Sequence, residues 1–457
     1  MKLDVRVGGT RVAQLFRERD EYVLKYLPDV DATDFVSLTM PVREQPWRWP
    51  RDLHPFFRQN LPEGYLLSII REEFGPMLDG TDLSLLAVVG GYGIGRVTVV
   101  PEGAVTESRD DPVQIQDLLK ADNTTEHFAR LVRRYARSSI SGMVPKFIAP
   151  EEISEPVSGQ VGKPTLRTNK HIIKGSDDST PYLGFNEFYS MRVLERLDVA
   201  AVARTQMSED GRVLVVERFD VNDNGLPVYG VEDACSLLGL PPHEKYATTT
   251  EKVLNATRSY LSALDSLEQL EQFGWHLLAS YVVRNADCHA KNIALYYTNL
   301  DDVKFSPVYD IVTTEAYPRF ANNPPALPVS GRQSWVAGKT LERFFHARLG
   351  IAPRQFNDMV QRLCESAVEV GYELIEASNN ERRWRTVAKQ ILHAWNDGMA
   401  SLRDPKKKLV FKGLSSAIEA AGFSEADRAE SPRVTIGRSE LLAAPRRKTS
   451  KNGKSGV

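Results

Sequence analysis

Cysteine is nearly absent from this chain. There are three in 457 residues, Cys235, Cys288 and Cys364, and none stands in a Cys-x-x-Cys spacing. Neither a disulfide framework nor a thiolate zinc site is therefore favoured, and a reducing compartment suits the composition. An excess of one charge sign is also missing. Lys and Arg number 58 against 60 Asp and Glu, a formal net charge of -2, so no global basic field draws the chain to nucleic acid. No helix-turn-helix pattern with a basic recognition helix is found, which makes direct DNA reading a poor expectation. Long apolar runs are lacking too. The N-terminal MKLDVRVGGTRVAQLF has no signal-peptide core and no stretch approaches transmembrane length. The expectation is a cytoplasmic protein with no membrane contact.

What is present is a soluble globular composition, 42% apolar and 26% charged, in a chain too long for one ordinary core. The opening reads as β-rich: LDVRV, RVAQLF and YVLKYL alternate apolar and polar residues, with Gly8-Gly9 as a hairpin signal. A helix is expected after Leu61-Pro62-Glu63-Gly64, and LSLLAVVGGYGIGRVTVVP reads as a helix turning through glycines into a strand. The segment PEGAVTESRDDP is a polar connector that closes this first unit. In the middle, KFIAP and HIIKG are short apolar strands, and GRVLVVERFD is a strand ending in charge. NEFYSMRVLERL places Phe188, Met191, Leu194 and Leu197 on one helical face. FGWHLLASYVVRNA is apolar all round and predicts a buried helix. NIALYY and VKFSPVYD flank the turn Thr298-Asn299-Leu300-Asp301-Asp302 as a hairpin, and the chain is mostly helical from there to about residue 423. The tail RRKTSKNGKSGV is basic, small and polar, and disorder is expected there.

The chemistry concentrates in Asn285-Ala286-Asp287-Cys288-His289-Ala290-Lys291-Asn292. Phosphoryl transfer needs a carboxylate to orient the attacking hydroxyl and accept its proton, and it needs hard oxygen ligands for Mg²⁺. Protein kinases meet both needs with Asp-x-x-x-x-Asn on the catalytic loop, the spacing of Asp287 and Asn292. Alone, that spacing could merely cap a turn after a helix. Here the following hairpin returns the chain to Asp310, where a kinase carries its metal-binding aspartate, and the order makes the set specific. Cys288 and His289 are adjacent and converge poorly on one ion, so His289 is read as structural, holding the loop around Asp287. Lys174 ends an apolar strand and suits a phosphate-holding lysine, with Glu187 at the opening of the next helix to position it. An ordinary solvated lysine is the competing reading. Val215 to Asp220 resembles a hinge whose backbone reads an adenine edge, and an edge strand explains it equally well. Ser138 to Lys146, with Ser139, Ser141 and Gly142, lies where a phosphate-covering loop belongs, although it is neither Gly-x-Gly-x-x-Gly nor a Walker A sequence.

Taken together, these stretches resemble the HipA family of toxin–antitoxin kinases over roughly residues 3 to 400. FFRQNLPEG and LLAVVGG resemble its N-terminal subdomain, Ser139-Ile140-Ser141-Gly142 its phosphate loop, and HIIK its nucleotide-binding strand. VERFD resembles its hinge, GLPPHEKY (Gly239 to Tyr246) a loop of the fold, DCHAKN its catalytic loop and PVYD its metal aspartate. The resemblance implies an α+β, protein-kinase-like two-lobed fold. Its parts would be a β-rich N-terminal subdomain at 1–105, a small-lobe region at 106–225, a mostly helical C-terminal lobe with the catalytic loop at 226–423, and a tail at 424–457. It implies ATP and Mg²⁺ as cofactors, with Asp287 as catalytic base and Asn292 and Asp310 as metal ligands. Lys174, Ser139, Ser141, Gly142 and His289 would lie around the nucleotide, and Glu217 and Phe219 would meet the adenine through their backbone. Ser139 or Ser141 would be an autophosphorylation site. Characterised relatives phosphorylate aminoacyl-tRNA synthetases and pair with a small helix-turn-helix antitoxin, HipB, so DNA would be met only through the antitoxin. The family loop usually carries glutamine where this chain has Val144, which removes a polar contact. Lipid kinases and antibiotic phosphotransferases share the Asp-x-His-x-x-Asn pattern, but the N-terminal unit argues against both. The remaining alternative is a catalytically weak subunit acting in antitoxin binding and transcriptional autoregulation.

Overall fold

The computed structural model describes residues 1–104 apart from 63, 76 and 77; 114–131 and 133; 165–403 apart from 263, 264 and 337; and 413–423. The expected strand KFIAP, the Ser138–Lys146 loop and the basic tail lie outside the described residues.

The first sheet is five-stranded and antiparallel, in the order β4-β3-β2-β1-β5. Its strands are β1 (Lys2–Val7), β2 (Thr10–Glu18), β3 (Glu21–Tyr26), β4 (Trp47–Pro50) and β5 (Val97–Pro101). Gly8 and Gly9 both take positive φ, 55° and 87°. A two-residue hairpin with that twist demands such angles, and glycine adopts them without steric cost. The helices α1 (Gly64–Phe74) and α2 (Asp82–Val89) close over Leu3, Val5, Val12, Leu15 and Leu24, forming a core of their own with Leu83, Leu86 and Phe57.

A second sheet, β6-β7-β9-β8, comprises β6 (Thr165–Arg167), β7 (His171–Gly175), β8 (Thr205–Met207) and β9 (Val213–Glu217). Leu118 and Phe128 cover one face through Ile173, Val213 and Val215. The other face packs against α3 (Leu183–Glu195). The helix begins a turn earlier than the sequence suggested, so Glu187 sits inside it rather than opening it. Tyr182, left-handed at φ 54°, delivers the chain into the helix. Gly184 lies so close to the Val213 backbone that a side chain would collide with it. Burial on α3 is also wider than one stripe. Phe185, Tyr189 and Val193 are buried along with Met191 and Leu194, while Phe188 and Leu197 are only half-buried.

The third sheet, β10-β11-β12, joins β10 (Gly230–Asp233) to the hairpin β11 (Ala294–Tyr297) and β12 (Val303–Phe305). It rests on α4 (Ser266–Val282), the all-round apolar helix, with Phe273, Trp275, Leu278 and Tyr281 buried. The long helices α5 (Pro353–Asn380) and α6 (Arg385–Leu402) complete the body. One continuous core runs from α3 through α4 to α5 and α6. This shared core fixes the small sheet relative to the loop that follows α4. Among the described residues, no helix is long and apolar enough to cross a membrane.

Candidate active site

The site forms where four chain segments meet: the end of β7, the interior of α3, and the two loops flanking the β11–β12 hairpin. Lys174 on β7 reaches across the sheet edge with its Nζ 2.5 Å from Glu187 Oε1 and 2.7 Å from Asp310 Oδ1. Asn292 Nδ2 donates to the other Asp310 oxygen at 2.6 Å. Four residues spread over 136 positions of chain are thus joined by three bonds, all charged or charge-assisted, which are shorter and stronger than neutral ones. Glu187 is 1% exposed, Lys174 14% and Asp310 22%. The glutamate is anchored in the protein, and the aspartate faces the cleft.

Asp310 holds its place at a backbone cost. Its φ is +60°, in the left-handed region that costs an ordinary residue about 1–3 kcal/mol. Arg284, just before the Asn285–Asn292 loop, is left-handed as well, at φ +56°. The surroundings over-determine both. Asn285 Nδ2 donates to the Asp310 carbonyl at 3.3 Å, and Thr314 Oγ1 donates to the Arg284 carbonyl at 2.9 Å while accepting from Ala286 N at 2.8 Å. Thr313 exchanges two 2.9 Å bonds with the Asn186 side chain and accepts from Trp395 Nε1 at 2.7 Å. The helix that carries Glu187 is therefore tied directly to the strand-like segment after Asp310.

Within the loop, the Asn292 side-chain oxygen accepts from His289 N at 3.0 Å, and His289 N also donates to the Asp287 carbonyl at 2.8 Å. The expected holding role of His289 is thus exercised by its backbone. Its ring is buried and packs edge-on against Tyr246, with centroids 5.1 Å apart. Burial pushes the imidazole down to about 4, so it is neutral at neutral pH. The neighbouring Cys288 turns inward, its Sγ 3.6 Å from His276 Nε2, and burial pushes its thiol up to about 12. A neutral thiol is a poor metal ligand, and the Cys288–His289 pair does not form a metal site. Among the described residues, no group of three or more His, Cys, Asp and Glu gathers to hold a metal. What the site offers instead is two hard oxygen donors, the Asp310 carboxylate and the Asn292 amide, now satisfied by an ammonium and by N–H groups. That donor set suits Mg²⁺, which takes one or two protein oxygens and completes its shell with phosphates and water.

The Val215–Asp220 segment reaches the same site through Phe219. Glu217 is exposed, and its N–H is already committed to the Arg204 carbonyl at 2.9 Å. The Phe219 ring stacks on Tyr309 at 6.1 Å and 27°, one residue before Asp310. The N-terminal unit grips this segment. Asp220 Oδ2 accepts from Gly95 N at 2.7 Å, and Arg218 Nη2 donates to the Gly93 carbonyl at 3.2 Å. On β10, Glu232 accepts from Ser37 Oγ and Leu38 N, each at 2.9 Å, and from Ser236 Oγ at 2.6 Å. Arg96 lies over Phe35 and Tyr297 and donates to the Thr298 carbonyl at 2.6 Å. The sequence reading missed these contacts, because those that cross between the N-terminal unit and the body join residues far apart in the chain, up to 202 positions, with no motif to announce them. Ser139, Ser141 and Gly142 lie outside the described residues.

The HipA-like C-terminal domain model matches residues 138–370, more than half the chain, and the HipA N-terminal domain model matches residues 3–100. The chain belongs to the HipA family. Among its relatives is "Putative kinase Y4mE" of Sinorhizobium fredii, 29% identical over 310 residues, covering 62% of this chain and 69% of that one. A "Putative kinase" of Haemophilus influenzae is 26% identical over 231 residues, covering 46% and 63%. In the solved complex of HipA with HipB and operator DNA from Shewanella oneidensis MR-1, the matching chain superposes with a TM-score of 0.62 at 21% identity, over 86% of this chain and 97% of that one. The fold is the α+β, kinase-like fold of HipA.

Proposed function

We propose that this HipA-family chain is an ATP-dependent serine/threonine protein kinase and the toxin of a toxin–antitoxin pair. The observation that carries the reading is the Lys174 ammonium seated between Glu187 and Asp310, with Asn292 on the second Asp310 oxygen. A lysine locked to a helix glutamate and an aspartate shared with an asparagine is the arrangement phosphoryl transfer requires. In this reading Lys174 binds the nucleotide phosphates, and Asp310 and Asn292 hold Mg²⁺, which neutralises phosphate charge when bound. Asp287 orients the acceptor hydroxyl and takes its proton. Glu217 and Phe219 border the adenine, with the Glu217 carbonyl as the available backbone group. Ser139 and Ser141 are the proposed autophosphorylation sites, where about -1.5 to -2 added charges would oppose a second nucleotide. The partner is a small HipB-like helix-turn-helix antitoxin, through which DNA is met. The substrate is a protein, an aminoacyl-tRNA synthetase being the leading candidate.

The test is intact-mass and peptide mass spectrometry of the full chain after incubation with Mg²⁺-ATP, with Asp287→Asn as the blank. The expected result is phosphate on Ser139 or Ser141 in the wild type and none in the variant. Equal phosphate in both would overturn the base assignment. Phosphate confined to other residues would overturn the autophosphorylation site and leave the kinase reading standing.

A further inference from the structure

Tyr246 belongs to the loop Gly239 to Tyr246, to which the catalytic reading gives no task. Its hydroxyl donates to Asp287 Oδ1 at 2.6 Å, the length of a strong charge-assisted bond. The backbone of Asp287 is already fixed on both sides. Its N–H donates to Asn285 Oδ1 at 3.1 Å, and its carbonyl accepts from His289 N at 2.8 Å. What remains free is the side-chain torsion, and Tyr246 holds it by one oxygen. A carboxylate has about four lone-pair sites, so Oδ2 is left to accept from an acceptor hydroxyl. The tyrosine is itself held by the loop it serves. Its ring stands edge-on to the buried His289 at 5.1 Å and 78°, and the carbonyl of neighbouring Lys245 accepts from Ala290 N at 3.2 Å. The two loops are therefore joined by both ring packing and a backbone bond, which suits a support rather than a plug that an acceptor must displace.

We infer that Tyr246 is a positioning residue that fixes the carboxylate of Asp287 in its reactive orientation; this rests on the assignment of Asp287 as base. A base that rotates freely loses the alignment on which proton transfer depends. The test compares wild type, Tyr246→Phe, a 3-fluorotyrosine replacement at 246, and Asp287→Asn, measuring ADP release and phosphate incorporation by the full chain with Mg²⁺-ATP. Tyr246→Phe keeps the ring against His289 and removes the hydrogen bond. It should lower kcat by about ten- to a hundredfold, the fold-change expected from losing one hydrogen bond to a charged group. The KM for ATP and the melting temperature should stay near wild type, and 3-fluorotyrosine, which keeps its hydroxyl, should restore the rate. Loss of folding alone would move the melting temperature and would not be rescued in that pattern. A wild-type kcat in Tyr246→Phe, with Asp287→Asn inactive, overturns the positioning role and leaves the base intact. A faster Tyr246→Phe overturns it in favour of a plug. An active Asp287→Asn overturns the base reading, and this inference falls with it.

Discussion

Two seams meet at the Val215–Asp220 segment, and they treat charge in opposite ways. At the cleft seam, between the small sheet and the helical body, charge meets charge: Lys174 lies between Glu187 and Asp310, and Asp310 is 22% exposed on a left-handed backbone. Across the N-terminal seam, ionisable side chains meet neutral groups. Glu232 is fully buried and accepts from two serine hydroxyls and a backbone N–H, and Arg96 donates to backbone carbonyls at 2.6 and 3.0 Å. A salt-bridged cluster at the edge of solvent can exchange partners. A buried group whose partners are backbone and hydroxyl groups cannot, because moving it leaves those partners buried and unsatisfied. The difference separates a place built to change from a place built to stay.

Each seam can be broken separately. The largest expected effect is on chemistry. Asp310→Ala should reduce phosphotransfer by at least about a hundredfold, as loss of the proposed metal ligand and its charge stabilisation requires, and should abolish the Mg²⁺ dependence of ATP binding measured by titration. The melting temperature should fall modestly, since alanine is strained at φ +60° while the Lys174–Glu187 pair survives. Mg²⁺-dependent binding at wild-type affinity would count against the cleft assignment.

The next effect falls on stability. Glu232→Ala leaves Ser37, Leu38 N and Ser236 without their acceptor and should cost about 1–3 kcal/mol in urea unfolding, with turnover per folded molecule retained. The same group gives a pH signature. Burial pushes Glu232 up to about 7 in the folded chain, above its ordinary value near 4.5. Its contribution to stability is therefore fully present below about pH 4.5 and is lost as pH rises through about 7. Glu232→Gln should flatten that slope, and an unchanged slope would show that another group causes it. Arg96→Lys should cost less, about 1–2 kcal/mol, because one ammonium cannot reach all the carbonyls the guanidinium fork serves. The smallest effect is expected on the surface. Arg196→Ala removes ion pairs to Glu369 and Glu373 at 2.6 and 2.7 Å, but these side chains are 34–58% exposed, so the loss should stay below about 1 kcal/mol.

The same contrast explains what could be read from the sequence. The cleft was legible where its geometry is local. Asp287 and Asn292 share one loop, Asp310 follows one hairpin, and Lys174 and Glu187 stand 13 residues apart on a strand and the next helix. Helix α3 was placed correctly but begun late, because Tyr182 and Gly184 act through the three-dimensional approach to β9. The N-terminal seam was not legible. Nothing in the sequence around Glu232 points to Ser37, 195 residues away. Tyr246 appeared as part of a familiar loop, but its bond to Asp287 spans 41 residues and leaves no spacing signal.

At position 310, side chain and backbone make opposing demands. Glycine would adopt φ +60° at ease and relieve the strain, but it would carry no carboxylate. A library randomised at that codon and sorted only for folded abundance should favour glycine or asparagine. The same library sorted for phosphotransfer should return aspartate, and the gap between the two rankings would measure how far stability and activity conflict at a single residue.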